Sequence, residues 1–104
     1  MKSISFIFKV KFTYNDENKL DFTNAIEKGL RFSLWKSEDN FTSAMVYDVC
    51  EGSINPGQTK DVVIKTINSE LSRTIKRGDC LFWGVPYMIC GKVDIIEVID
   101  DVMI

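Results

Sequence analysis

Near the start of the chain, Ile4, Phe6, Phe8, Val10, Phe12 and Tyr14 fall on every second position, with Ser5, Lys9, Lys11 and Thr13 between them. A period of two puts alternate side chains on opposite faces of a β-strand, so this segment reads as a long strand with one buried face. Only Ile7 breaks the polar set, and the run stops at the turn-forming cluster Asn15-Asp16-Glu17-Asn18. After Gly29, the residues Leu30, Phe32 and Leu34 alternate in the same way. Phe41 to Glu51 is rich in β-branched and aromatic residues and places Met45, Tyr47 and Val49 on one face. Asn55-Pro56-Gly57 predicts a tight turn, because Pro presets φ and the Gly after it accepts positive φ.

Thr59 to Ile67 resumes the alternation, with both faces partly apolar. Ser69 to Lys76 reads as a helical turn or a loop. Gly78 opens a strand that runs through Trp83, Gly84-Val85-Pro86 reads as a turn, and two further strands are predicted over Tyr87 to Gly91 and Val93 to Ile99. Short strands separated by turn signals, without a long stretch of helical period, indicate an all-β closed barrel or a sandwich, and with the resemblance described next the fold expected is an antiparallel β-barrel of six or seven strands. The length of 104 residues suits one domain covering 1–104, and 45% hydrophobic content with seven Phe supplies a core.

The order of these punctuation marks carries a family resemblance. A long first strand and polar loop lead to Glu27-Lys28-Gly29-Leu30-Arg31-Phe32. Ile54-Asn55-Pro56-Gly57-Gln58 then feeds Val62-Val63-Ile64, and Gly78 and Gly91 precede Ile95-Ile96-Glu97-Val98-Ile99. From about Phe6 to Ile99 the chain resembles the C-terminal β-barrel of the elongation factor Tu family. There a G-x-R-P strand, a PGD or PGE turn before a valine-rich strand and a paired-glycine hairpin occur in this order. Phe32 stands where the family has Pro, Gln58 where it has an acid, and Gly84-Val85-Pro86-Tyr87-Met88 where it has a charged R-E-G-G-R hairpin. The resemblance implies a free-standing barrel in a bacterial cytoplasm. A translation role, in tRNA or ribosome-associated binding, would be inherited from the parental barrel, and loss of the charged hairpin weakens it. No GxxxxGK[ST] loop occurs, so no nucleotide is expected.

Composition narrows the chemistry. The chain has no histidine, which removes the commonest general base and the usual nucleophile pairings and zinc sites. The paired carboxylates Asp16-Glu17, Glu38-Asp39 and Asp100-Asp101 fall in predicted loops or at the end, so a non-enzymatic protein without cofactor or metal is expected. A net charge of −2 disfavours nucleic acid as the main partner. The basic cluster Arg73, Lys76 and Arg77, with Lys9 and Lys11, is the possible RNA contact, and its plain reading is a solvated loop. No apolar run approaches the ~20 residues that span a bilayer, and Lys9 and Lys11 interrupt any signal-peptide core. Three cysteines without CxxC spacing suit a reducing cytoplasm.

Two residue groups remain. Trp35 stands beside a polar loop, and Trp83, Val85, Tyr87 and Met88 cluster at a predicted hairpin tip. Exposed, such aromatic side chains would form a protein-binding surface, whereas turned inward they would close the barrel. If that hairpin is symmetric about Val85, Cys80 and Cys90 face one another, and a disulfide needs Cα atoms within about 6–7 Å. The plain alternative is two small buried thiols. The leading expectation is a non-catalytic binding module with a protein partner, followed by translation-related RNA binding and then a thiol redox sensor.

Overall fold

The computed structural model describes residues 4–15, 25–49, 52–85 and 88–103. Six strands form a closed antiparallel barrel: β1 (Ile4–Tyr14), β2 (Arg31–Ser37), β3 (Asn40–Val49), β4 (Thr59–Ile67), β5 (Cys80–Val85) and β6 (Met88–Met103). Around the barrel the order is β1-β4-β3-β2-β5-β6, with β6 returning to β1. A short helix, α1 (Glu70–Thr74), lies between β4 and β5. Among the described residues no helix is long and apolar enough to cross a membrane.

Four of the alternating residues of β1, Phe8, Val10, Phe12 and Tyr14, are buried inside the barrel, and Phe6 packs half-buried against the same core. Phe32 and Leu34 of β2, Val62 and Ile64 of β4, and Leu81 of β5 meet them there. Burying each large apolar side chain contributes roughly 1.5–3 kcal/mol, so β1 alone accounts for much of the hydrophobic driving force. Trp83 lies at the centre of the aromatic part of this core. Its ring centroid is 4.6 Å from that of Phe12, 5.3 Å from Tyr14 and 6.0 Å from Phe32. Its indole N–H donates to the backbone carbonyl of Thr13 at 2.8 Å. A buried indole needs such a partner, because an unmet N–H costs about 1–3 kcal/mol.

The two ends of the barrel are closed differently. At the Tyr14 end, Ile26 and Ile54 are buried and exchange backbone hydrogen bonds of 2.8 and 3.0 Å. The adjacent Asn55–Gln58 turn has Gly57 at φ 89°, and the Asn55 N–H donates to Gln58 Oε1 at 2.9 Å. Gln58 thus supplies a side-chain acceptor within its own turn. At the other end, α1 lowers Leu71 onto the core, with Ile75 following it. Five helical residues do not sustain themselves in water; this helix is held by its cap and by a chain of hydroxyls. Ser69 Oγ accepts from the Ser72 N–H at 3.1 Å and lies 2.8 Å from Thr42 Oγ1. Ser72 Oγ donates to the Ile67 carbonyl at 2.6 Å, so its 2.8 Å contact with Thr66 Oγ1 requires the threonine to donate.

Three sequence expectations change. The last two predicted strands are one, β6, which pairs continuously with β1 through two bulges. Ser69 to Lys76 resolves as a capped helix followed by a turn. In β3, Thr42, Ala44 and Val46 are buried, and Met45, Tyr47 and Val49 do not share one face. Ser69 explains part of this, since Thr42 must face inward to meet it. A register shift between Val46 and Asp48 then leaves Tyr47 exposed and turns Val49 back against the core.

The seat of Trp83 generates a stability prediction. A Cβ on Gly91 would stand 1.8 Å from the Thr13 carbonyl oxygen and 2.5 Å from Trp83 Nε1. Gly91→Ala should therefore lower unfolding stability by about 3 kcal/mol, seen as a lower urea midpoint with an unchanged slope. The exposed neighbour substitution Lys92→Ala should stay within about 0.5 kcal/mol of the parent.

Candidate functional site

Outside the barrel, strand register aligns four side chains in a row across neighbouring strands. Phe41 of β3 is paired with Trp35 of β2, Trp35 with Phe82 of β5, and Phe82 with Lys92 of β6. Each faces outward because its strand neighbours, Thr42, Leu34 and Trp83, face in. Phe41 is 61% exposed and Ile89, near the start of β6, is 57% exposed. Trp35, Phe82 and Met88 are half-buried. A surface depression of about 630 Å³ runs among Trp35, Phe82, Met88 and Ile89, with Lys36 and Glu38 on its rim. The result is an apolar centre bordered by charge.

The local sequence accounts for this placement. Glu38 and Asp39 make the β2–β3 turn, with Ser37 paired to Asn40 across it. That turn sets Trp35 and Phe41 opposite one another, where cross-strand aromatic pairs contribute roughly 0.2–1 kcal/mol. A second, smaller depression of about 300 Å³ lies on the same outer wall, lined in part by Arg31, Met45, Lys65 and Ile67.

The predicted binding residues separate. Trp35 and Met88 lie together in the depression. Val85 is half-buried against the core. Trp83 is a correction: it is fully buried and is a structural residue, since odd positions of β5 point inward. Tyr87 lies outside the described residues. Phe41, Phe82 and Ile89 went unrecognised in the sequence. The signal for Phe82 was present, because a strand that buries Leu81 and Trp83 must expose the residue between them.

The possible RNA contacts do not form a continuous stripe. Arg73 Nη1 donates to Asn68 Oδ1 at 2.9 Å, and the Lys76 backbone N–H donates to Asp79 Oδ2 at 3.0 Å, while Arg77 is exposed in the following turn. On β1, Lys9 stands in register with Glu97, and Lys11 stands between Asp61 and Asp94. The cations of β1 are thus interleaved with acids.

The cysteine geometry is also corrected. Val85 pairs with Met88 and a bulge follows between Trp83 and Gly84, so the hairpin is not symmetric about Val85. Cys80 is opposite Asp94 on the outer face, whereas Cys90 is buried inside. Partial desolvation and the hydrogen-bonded Asp94 carboxylate push the Cys80 thiol up, and burial pushes Cys90 up. Neither is activated as a thiolate, which is the reactive species. Burial, reinforced by Cys90, likewise raises Tyr14.

Two outcomes follow. In native protein, iodoacetamide should modify Cys80 and spare Cys90 until the barrel unfolds, as peptide mass spectrometry reads directly. Because the fold favours protonated Cys90 and Tyr14, their contribution is complete below the unfolded-state pKa values and is lost as pH rises past them. The thermal midpoint should therefore fall through the alkaline range in which thiols and then phenols ionise. Comparison of the chain with protein-family models, with curated proteins and with solved structures returned no match.

Proposed function

We propose that this chain is a non-catalytic protein-interaction module, built on a barrel akin to the C-terminal barrel of elongation factor Tu and acting in a bacterial cytoplasm. The observation that carries the reading is the outward row Phe41–Trp35–Phe82 with Ile89 and Met88 beside it. Placing two phenylalanines and a tryptophan on a solvent face wastes apolar area unless something covers it. Trp and Phe suit that task, since they bring large area with few rotatable bonds. Lys36, Glu38 and Lys92 around the row provide the polar rim of such an interface.

The lineage rests on the ordered punctuation. Gly29, Gly57 and Gly78 all stand at turns preceding strands, and the closed antiparallel barrel is the architecture that the resemblance implies. Interleaving of Lys9 and Lys11 with Glu97, Asp94 and Asp61 favours a protein partner over RNA.

The test is capture of a partner from lysate on immobilised protein, with RNase and at moderate salt, followed by affinity measurement with the purified partner. Phe41→Ser should weaken binding about 30-fold or more, as a hot-spot truncation of about 2 kcal/mol does. Arg77→Ser should leave it unchanged. Material lost on RNase treatment, and sensitive to Arg77→Ser but not Phe41→Ser, would replace this reading with an RNA-binding one.

A further inference from the structure

The outer wall of the β2–β3 hairpin is patterned along its strands as well as across them. From the turn downward it carries Glu38 and Asp39, then the pair Trp35↔Phe41, then Ser33↔Ser43, then Arg31↔Met45. Lys65 follows one strand further on, in register with Met45. Glu38 lines the larger depression, and Arg31 and Lys65 line the smaller one. Acids therefore stand above the aromatic row and cations below it. Glu38 is three positions from Trp35 and Arg31 is four, so the charged ends lie at similar distances from the row, roughly 10–14 Å at ~3.4 Å per residue.

The other charges nearby do not cancel this arrangement. Lys36 leaves the turn end one charge negative, while Glu27 and Lys28 offset one another in the turn that precedes β2. Arg31 has Met45 opposite it and Lys65 lies between Met45 and Ile7, so neither cation has an acid in register among the described residues. Asp48 lies further from the row, opposite Val63.

We propose that the aromatic row is covered by a second copy of this chain, in a two-fold dimer whose axis runs along the row and across the strands. Rotation about that axis brings Phe41, Trp35 and Phe82 against their own counterparts and exchanges the two ends of the hairpin. Glu38 and Asp39 of each copy then meet Arg31 of the other, the reciprocal contact that a self-complementary interface requires. A two-fold axis parallel to the strands would instead set acid on acid and cation on cation. A polyanion such as RNA carries charge at every nucleotide and would meet Glu38 and Asp39 as well as Arg31. The proposal rests on the reading of the row as a protein-binding face and names its occupant.

The test is sedimentation of the full chain between about 1 and 500 µM in low salt, with reductant so that exposed Cys80 cannot link copies. A monomer–dimer equilibrium with Kd of about 1–100 µM is expected, the weak end for a small interface, and added salt should loosen it. Phe41→Ser should raise Kd about 30-fold or more. Arg31→Glu and Glu38→Lys should each weaken self-association about tenfold, because the two-fold axis makes each charge contact occur twice. An equimolar mixture of these two variants should form a heterodimer as tight as the parent dimer, a gain that damaged folding cannot produce. A monomer at about 500 µM, a dimer indifferent to Phe41→Ser, or charge variants that fail to pair when mixed would each overturn the proposal. A monomer that still captures another protein through Phe41 would overturn this inference alone and leave the aromatic-face reading standing. A monomer whose captured material is lost on RNase treatment would overturn both.

Discussion

The seat of Trp83 connects the inside of this barrel to its outside. Its indole lies over Gly91 of β6 and donates to the Thr13 carbonyl of β1, so one side chain of β5 ties three strands together. Only a residue without Cβ at 91 leaves room for that hydrogen bond. Because β5 alternates, fixing Trp83 inward fixes Phe82 outward. The ladder between β2 and β5 is three pairs long, Ser33↔Gly84, Leu34↔Trp83 and Trp35↔Phe82, so the residues that close the barrel also set the aromatic row on its surface. Core and candidate site are consecutive residues of one short strand.

This coupling explains why the fold was more legible than the site. Period two in β1 is a local property, and six alternating apolar residues state their burial without reference to any other strand. The turn at Asn55-Pro56-Gly57 is equally local. In β3, apolar residues occupy both phases, and the choice between them was made elsewhere, by hydroxyl contacts among Thr42, Ser69 and Ser72. Two elements distant in sequence had to meet before Tyr47 and Phe41 were committed to solvent. Likewise, the single β6 looked like two strands because Gly91 resembled a break; the glycine is there for the indole and the ladder to β1 passes through it.

The site residues divide along the same line. Trp35 was recognisable from its position beside a polar turn. Trp83 was drawn into the same group by composition, although a lone tryptophan between Phe82 and a glycine is as compatible with a core as with a surface. Phe41 and Ile89 had no signal in their own segments, since their exposure depends on which face the barrel curvature turns outward. The cysteine pair failed for a related reason: Val85 pairs with Met88, so the hairpin is centred beyond Val85, and this register together with the bulge between Trp83 and Gly84 sets Cys80 opposite Asp94 and turns Cys90 inward.

A six-stranded barrel filled by Phe8, Phe12, Tyr14 and Trp83 uses its interior for stability, which leaves the outer wall and the strand edges for contact with other molecules. These offer different currencies. The aromatic row supplies apolar area, which gives affinity with little directional demand. An edge strand supplies backbone hydrogen bonds, which fix orientation and register, with alternating side chains adding selectivity. Closure of the barrel pairs most of its backbone on both sides, and among the described residues the stretches with a single neighbouring strand, such as residues 40–43 of β3 and 96–103 of β6, lie at strand ends.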